Sequence, residues 1–270
     1  MRDPPVIGRK LTVAVSNISA ELAGLRIAHI SDFHFRRWNR VTQAAQDLLL
    51  TADYDLVAAT GDFGTNPRRW TRAADLMRRF FEPIAQRVPI YAVLGNHDNL
   101  AMVTAPDMPL VFLRNESVSI RHSGGVFELV GLDQGLFGTE DMQAALGQAR
   151  RHDLTVLLAH YPSTIFRLPP GRVDLQLSGH THGGQIRLPY LGCIWANDRI
   201  PPRMSRGLHA VAGTILHSSP GIGVCPPIPV RINCPAEVAL LTLQPAERMS
   251  SPVRTKGLAV AVGGERTGKV

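Results

Sequence analysis

The sequence predicts an α/β protein, two β-sheets packed together with helices outside. Two observations lead there. Short runs rich in Val, Ile, Leu and Ala recur at 25–30, 56–59, 90–94, 155–159 and 173–177. Runs of this length and type read as strands buried on both faces. Between the first three lie two stretches with helical spacing of apolar residues, so the first half is strand–helix–strand–helix–strand, a parallel unit. The second half is rich in β character, and two sheets are the simplest way to pack two such halves.

Taken in order, residues 11–15 alternate enough for a first strand, and 25–30 form the second, ending at Ser31-Asp32. Residues 40–52 place Val41, Ala45, Leu48 and Leu49 on one helical face. The strand 56–59 ends at Thr60-Gly61-Asp62. A second amphipathic helix is predicted over 71–84, with Thr71 as N-cap and Arg78 and Arg79 near its end. The strand 89–94 runs into Gly95-Asn96. Residues 118–120 and 126–130, around Gly124-Gly125, read as a hairpin. A short helix follows at 141–149. Strands 155–159 and 173–177 flank a Pro-containing segment, 161–171. After an irregular stretch to Gly207, β character returns at 209–211, 214–218 and 237–243. One domain is expected over 10–245, followed by a disordered tail over 246–270, which has no periodicity.

The chain has 270 residues, 44% of them hydrophobic, enough for one sizeable core. Its formal net charge is +7, and only Lys10, Lys256 and Lys269 are lysines, so the basic charge is almost all Arg. Arg pairs bidentately with phosphate and carboxylate. The excess is either a compositional bias or a match to an anionic substrate or membrane surface. No Lys/Arg block interleaved with aromatics appears, which argues against specific nucleic acid binding. Cys193, Cys225 and Cys234 form no C-x-x-C spacing, so neither a disulfide framework nor a thiolate metal site is expected, and a reducing, cytoplasmic compartment fits. No secretory signal and no run approaching about 20 apolar residues is read from the chain. The expected location is the cytoplasm, with peripheral contact to the inner membrane surface.

The chemistry lies at the strand ends. Asp32-Phe33-His34, Gly61-Asp62, Gly95-Asn96-His97-Asp98, His160 and Gly179-His180-Thr181-His182 each follow a predicted strand or its end. In open α/β sheets functional groups collect at the carboxyl ends of strands, so these segments should converge on one rim. Asp32 and His34, two apart, would share a side of an extended segment. Asp32, Asp62 and Asn96 offer oxygen, and His34, His160, His180 and His182 offer imidazole nitrogen. Seven such donors suffice for two metal ions with one shared ligand. As single motifs D-x-H and G-D are ordinary turns; the ordered set is what points to a metal centre.

That ordered set resembles the calcineurin-like metallophosphoesterases, whose signature is D-x-H, G-D, G-N-H-[DE], H, G-H-x-H. The resemblance covers roughly residues 11–243. The contexts Arg26-Ile27-Ala28-His29-Ile30-Ser31-Asp32, Gly179–Ile186 and Arg231–Glu237 resemble a bacterial branch that includes membrane-associated phosphodiesterases and UDP-2,3-diacylglucosamine pyrophosphatase-like enzymes. The resemblance implies a four-layer α/β/β/α sandwich, two mixed sheets flanked by helices, with a dinuclear site between the sheets. It further implies that Asp32, His34 and His182 hold one divalent ion, that Asn96, His160 and His180 hold the other, and that Asp62 bridges them. His97 would stand outside the ligands as general acid near the leaving group. An all-N/O donor set suits Mn²⁺, Fe or Zn²⁺. Two ions roughly 3.5–4 Å apart clamp the attacking and leaving oxygens of an in-line displacement and generate hydroxide near neutral pH.

The implied activity is hydrolysis of a phosphodiester or pyrophosphate bond, with a lipid-linked substrate such as UDP-2,3-diacylglucosamine as the sharpest version. The rivals are a general or cyclic-nucleotide phosphodiesterase, a phosphomonoesterase and a metal-binding scaffold without chemistry. Two departures bear on this. Many members carry Gly two residues after the D-x-H histidine, where this chain has Arg36, so Arg36, Arg37 and Trp38 are expected to crowd the entrance. Phosphoprotein phosphatases of the superfamily carry an Asp three residues after the bridging one; here Thr65 stands there, which weakens that reading and leaves His97 without an evident orienting group. Arg36, Arg37, Trp38, Arg203 and Arg206 are the candidate substrate-binding residues, the last two in a long loop. Trp195 in the same loop suits a boundary between water and an apolar phase.

Overall fold

In a computed structural model, residues 6–16, 18–136, 138–149, 154–226 and 229–246 are described, with the backbone of 254–255 and 258–259. The tail expected over 246–270 therefore lies almost wholly outside the described residues. The strands are β1 (Val6–Val15), β2 (Arg26–Ile30), β3 (Leu56–Thr60), β4 (Ile90–Val93), β5 (Val111–Phe112), β6 (Glu116–His122) and β7 (Gly125–Gly131). They continue with β8 (Thr155–Leu158), β9 (Leu175–Ser178), β10 (Arg187–Leu188), β11 (Gly192–Cys193), β12 (Gly207–Val211), β13 (Thr214–Ser218) and β14 (Ala236–Pro245). The helices are α1 (Arg40–Thr51), α2 (Trp70–Ala85) and α3 (Met142–Gln148).

Two six-stranded sheets result, ordered β1-β14-β2-β3-β4-β5 and β12-β13-β9-β8-β7-β6. In the first, β2, β3, β4 and β5 are parallel, while β14 runs antiparallel to β2. In the second, β7, β8, β9 and β13 are parallel, with antiparallel strands at both edges. Both sheets are mixed. Alternation decides which residues face where. Ile27, Leu56, Ala58 and Leu241 pack against Leu129, Val156, Leu158, Leu175 and Leu177 in the middle layer. Ala28, Ile30, Val57 and Ala59 face outward onto Ala45 and Leu49 of α1 and Met77, Phe80 and Phe81 of α2. On the other side α3 puts Ala145 and Leu146 on Val130 and Leu157. This is the α/β/β/α sandwich the motifs implied.

The differences from the sequence reading are local. β1 starts at Val6 because it pairs in parallel with β14 along its full length, a partner about 230 residues away that local alternation does not reveal. Thr71 does not cap α2; the helix begins at Trp70 directly after a 3₁₀ turn whose cap is Asn66. α1 has a side-chain cap, Asn39, which accepts from the Thr42 amide. No helix among the described residues is long and apolar enough to cross a membrane.

Candidate metal centre

All the signature segments meet at one rim, where the carboxyl ends of β2, β3 and β4 face those of β8 and β9. The chain turns sharply there. Asp32, His34, Asp62, His180 and His182 all have positive φ, between 46° and 65°, so Asp32 and His34 converge through left-handed turns and not as neighbours on an extended strand. Such conformations cost of order 1–3 kcal/mol each and persist where surroundings hold them. The surroundings are visible in the sequence: Phe33 and Phe63 follow the two aspartates, stack on each other with centroids 5.5 Å apart, and pack on Phe80 and Phe81 of α2. Each ring anchors a turn whose aspartate faces the other way.

The donors form one cluster. His34 Nε2 and His182 Nε2 are 3.0 Å apart, and His182 Nε2 is 3.5 Å from Asp32 Oδ1. Asp62 Oδ2 lies 3.6 Å from His34 Nε2 and 3.4 Å from His160 Nε2. His160 Nε2 is also 3.1 Å from Asn96 Oδ1. The groups Asp32–His34–Asp62–His182 and Asp62–His160–His180 could each hold a cation, and Asp62 belongs to both.

Hydrogen bonds outside the cluster fix which nitrogen faces in. His160 Nδ1 lies 2.7 Å from the Thr60 carbonyl, which can only accept, so Nδ1 donates and Nε2 is turned to Asn96 and Asp62. The His180 Nε2 donates to the Asn197 carbonyl at 2.9 Å, which leaves Nδ1 for the centre. The His180 backbone amide donates to Asp32 at 3.0 Å, tying the two sheets together.

Electrostatics agree with a cation site. Burial lowers His34 and His180 to about 4, with neighbouring histidines adding to the effect, and lowers His182 well below its ordinary value. At neutral pH these imidazoles are uncharged, each with one ring nitrogen that can offer a lone pair. Burial opposes charge on Asp62 as well, yet His160, His34 and His97 outweigh it and hold the carboxyl well below its usual range. His160 is the counterpart: burial lowers it, but Asp62 and Asp32 raise it to about 9. Burial raises Asp32 to about 7. A cluster of oxygen and nitrogen donors in which one histidine takes a proton to balance the carboxylates is a donor set that fits divalent ions.

His97 sits at the edge of the cluster. Its amide donates to Asp62 Oδ1 at 2.9 Å, and its Nδ1 donates to the Thr65 carbonyl at 3.2 Å. The orienting group is thus the backbone of the residue that stands where an Asp would be. The adjacent Asp98 has a structural role: its carboxylate accepts from the amides of Gly64 at 3.0 Å and Gly95 at 2.9 Å, knitting the β3 and β4 turns.

The remaining candidates separate. Arg36 and Arg37 line a cleft of about 460 Å³ beside His34, together with Arg231. Trp38 does not crowd this entrance: it packs on Phe80 and carries the Arg79 guanidinium 4.0 Å above its ring. Arg206 is committed to the buried Glu237 at 2.6 Å, and Arg203 is exposed and lines neither cleft. Three residues at the site are not read from the sequence. Arg231 lies 3.4 Å from His182 Nδ1 and donates to the carbonyls of Pro220, Gly223 and Cys234, holding the last loop under the site. Cys225 comes within ligand reach of His34 and His182, contrary to the expectation that cysteine has no place there. Tyr161 stacks edge-on against His180 with centroids 4.5 Å apart; its place directly after His160 is the available signal.

Paired sheets with this donor cluster at their common rim define a hydrolase of the metallophosphoesterase class. The chain belongs to the calcineurin-like phosphoesterase family, whose pattern matches residues 25–184. An uncharacterized metallophosphoesterase of Bacillus subtilis (strain 168), YkuE, is 28% identical over 250 residues, covering 86% of this chain and 84% of its own. The phosphodiesterase YaeI of Escherichia coli (strain K12) is 28% identical over 233 residues, covering 82% of this chain and 83% of its own. Among solved structures, the 5'-nucleotidase precursor from Thermus thermophilus superposes with a TM-score of 0.47 at 13% identity, over 73% of this chain and 49% of that one.

Proposed function

We propose that the chain hydrolyses a phosphodiester or pyrophosphate bond with two divalent ions, Mn²⁺, Fe or Zn²⁺, held by Asp32, His34 and His182 on one side and Asn96, His160 and His180 on the other. The observation that carries this is Asp62, which is within 3.6 Å of a histidine from each group and is the carboxylate shared by both. When bound, the ions supply Lewis acidity and lower the pKa of water at the site. The chain's own residues do the rest. Thr60 and Asn197 fix the tautomers of His160 and His180. His97, with Nδ1 held by the Thr65 carbonyl, would donate from Nε2 to the leaving oxygen in its imidazolium form. Arg36 and Arg37, beside His34, pair with a second phosphate or other anionic part of the substrate. The phosphodiesterase name of the Escherichia coli relative supports a diester over a monoester.

The finer reading is a lipid-linked substrate such as UDP-2,3-diacylglucosamine, met at an anionic membrane surface by a cytoplasmic protein whose catalytic domain spans 10–245. A cyclic or other nucleotide diester is the second reading. It is favoured by the second cleft, of about 680 Å³, where Tyr161, Phe166 and Trp195 stand beside His180 and could stack on a base. The test is turnover of bis-p-nitrophenyl phosphate, cyclic nucleotides, monoesters and UDP-2,3-diacylglucosamine with added Mn²⁺ and after chelation. Asp62→Asn is expected to lose bound metal and all turnover. A variant with full metal content and normal rates overturns the dinuclear assignment. Faster turnover of soluble monoesters than of every diester and pyrophosphate overturns the substrate class.

A further inference from the structure

Nine large apolar side chains are exposed among the described residues, and they are not scattered. Leu188, Tyr190, Leu191, Ile194 and Trp195 fall in one eight-residue stretch, with Leu191 74% and Trp195 73% exposed and Tyr190 fully so. Most of the stretch is the β10–β11 hairpin, with Leu188 opposite Gly192, so residues 189–191 form its tip; Ile194 and Trp195 follow directly after β11. Its base is anchored: Cys193 is buried among Ile165, Ala196, Ile200 and Met204, and the Arg187 guanidinium donates to the Gly183 carbonyl at 2.9 Å. The tip, residues 189–191, is exposed throughout among the described residues. Two more exposed apolar residues extend the same face. Phe166 shares a cleft wall with Trp195 and His180, and Ile232 joins the hairpin through its bridge to Ile186. Seven of the nine therefore lie in this stretch or on segments that meet it, and Phe166 and Trp195 line the cleft that reaches His180. Contiguous exposed apolar surface on this scale marks an interaction site.

The charges around it select the partner. Between residues 183 and 208 four arginines accompany a single acidic residue, Asp198. Arg206 is spent on Glu237, and Arg187 on the backbone beneath the hairpin. Arg199 and Arg203 are exposed and have no carboxylate partner among the described residues. An exposed apolar tip, with a Tyr within it and Trp195 near it, and two unpaired arginines, Arg199 and Arg203, in the segment that follows, combines three features of membrane-interface anchors. Aliphatic groups enter the acyl boundary, Tyr and Trp sit at the headgroup level with their polar atoms wet, and arginine meets anionic headgroups.

We propose that the β10–β11 hairpin docks the protein on an anionic lipid bilayer, with Tyr190, Leu191 and Ile194 inserted at the interface and the mouth of the metal centre turned to the membrane. The inference extends the reading of a lipid-linked substrate but stands on the hairpin alone. The experiment is co-sedimentation of the full, metal-loaded chain with phosphatidylcholine vesicles, with and without phosphatidylglycerol. The expected result is binding to the anionic vesicles only, weakened in about 0.5 M salt, with a blue shift of Trp195 fluorescence. Tyr190→Ser/Leu191→Ser should lower the bound fraction by roughly tenfold and leave hydrolysis of a soluble diester unchanged. Arg203→Gln should weaken anionic binding by about fivefold. No vesicle binding, or binding that the double variant leaves intact, overturns the proposal. So does a concentration-dependent dimer that the double variant disperses, since it assigns the face to a second copy of the chain. Asp62→Asn should bind vesicles like the unaltered protein, so a failure of docking and a failure of the hydrolase reading are told apart.

Discussion

The side chain of His97 is oriented by the carbonyl oxygen of Thr65, 3.2 Å from its Nδ1. The Thr65 hydroxyl is not part of this contact; it donates to the His34 carbonyl at 3.1 Å. A backbone carbonyl cannot be removed by changing a side chain, so the ring of His97, the proposed general acid, keeps its orientation whatever residue occupies position 65. His97→Ala is expected to cut turnover of substrates with poor leaving groups by roughly 10²–10⁴ while metal content stays constant. A p-nitrophenyl ester, whose leaving group needs little protonation, should lose much less. Thr65→Ala should stay within a fewfold of the unaltered enzyme on both. Equal losses on the two substrates after His97→Ala would rule out the role of proton donor.

At Gly179 the turn after β9 lies directly against the turn after β2. A Cβ there would meet Ser31 Oγ and Asp32 Oδ2, so Gly179→Ala must push the β2 turn away from the β9 turn. Overpacking of this kind costs about 1–3 kcal/mol, which a sandwich of this size survives. The Asp32 carboxylate, however, moves off His182. The expected outcome is a folded protein with a lowered melting temperature, weakened metal retention and turnover reduced more than a hundredfold. An unchanged metal affinity would show that the two turns are not held at this spacing.

Much of this is legible in the sequence because it is local. Strand ends are marked by apolar runs giving way to Asp, Gly and His, and the ligand segments follow in order from that punctuation. What is not legible depends on partners far along the chain. His29 sits inside a strand and looks like an ordinary core histidine, yet its Nδ1 is 2.7 Å from His217 Nδ1 across the gap between the sheets. Arg206 reads as a loop arginine until Glu237 is placed beside it. Trp38 follows the first motif in sequence but belongs to α2 in space. Cys225 lies in a stretch without periodicity, and partners far along the chain bring it to the histidines: its amide donates to the Gln185 side chain at 2.7 Å, and Arg231 ties down the same loop.

The His29–His217 pair gives a prediction about pH. His29 Nε2 contacts Thr60 Oγ1 at 2.9 Å, while His217 Nε2 and Glu237 Oε1 are buried without hydrogen-bond partners. Burial lowers His217 from 6.5 to about 4 and takes His29 well below its ordinary value. Burial opposes charge on Glu237, but Arg206 and Arg9 outweigh it and lower its pKa. For both histidines the unfolded chain binds the proton first, so stability falls as pH drops from about 6.5 towards 4. Glu237 acts in the same direction, its contribution being lost as pH falls through its lowered folded-state value. Urea midpoints between pH 7 and 4 should register a loss on the order of 3 kcal/mol from His217, and His217→Asn should flatten the profile. A His217→Asn profile as steep as that of the unaltered chain would place the acid sensitivity elsewhere.

Cys225 bears on which metal the centre prefers. Its thiol is half-buried, and burial together with the nearby Asp62 and Asp32 carboxylates raises it to about 11. At neutral pH it is therefore a thiol, not a thiolate, and hard ions such as Mn²⁺ gain nothing from it. A softer ion can displace the proton and take the sulfur alongside His34 and His182, which are within ligand distance of it. Cys225→Ser should leave Mn²⁺-dependent turnover within about twofold and lower the affinity for Cd²⁺ by roughly tenfold or more, because only the soft ion loses a matched ligand. Competition titrations of Mn²⁺ against Cd²⁺ on the two proteins measure this directly, with activity as a second readout. A parallel loss of affinity for both ions would mean that Cys225 supports the loop and not the ion. Equal affinities in both proteins would mean that the sulfur never reaches it.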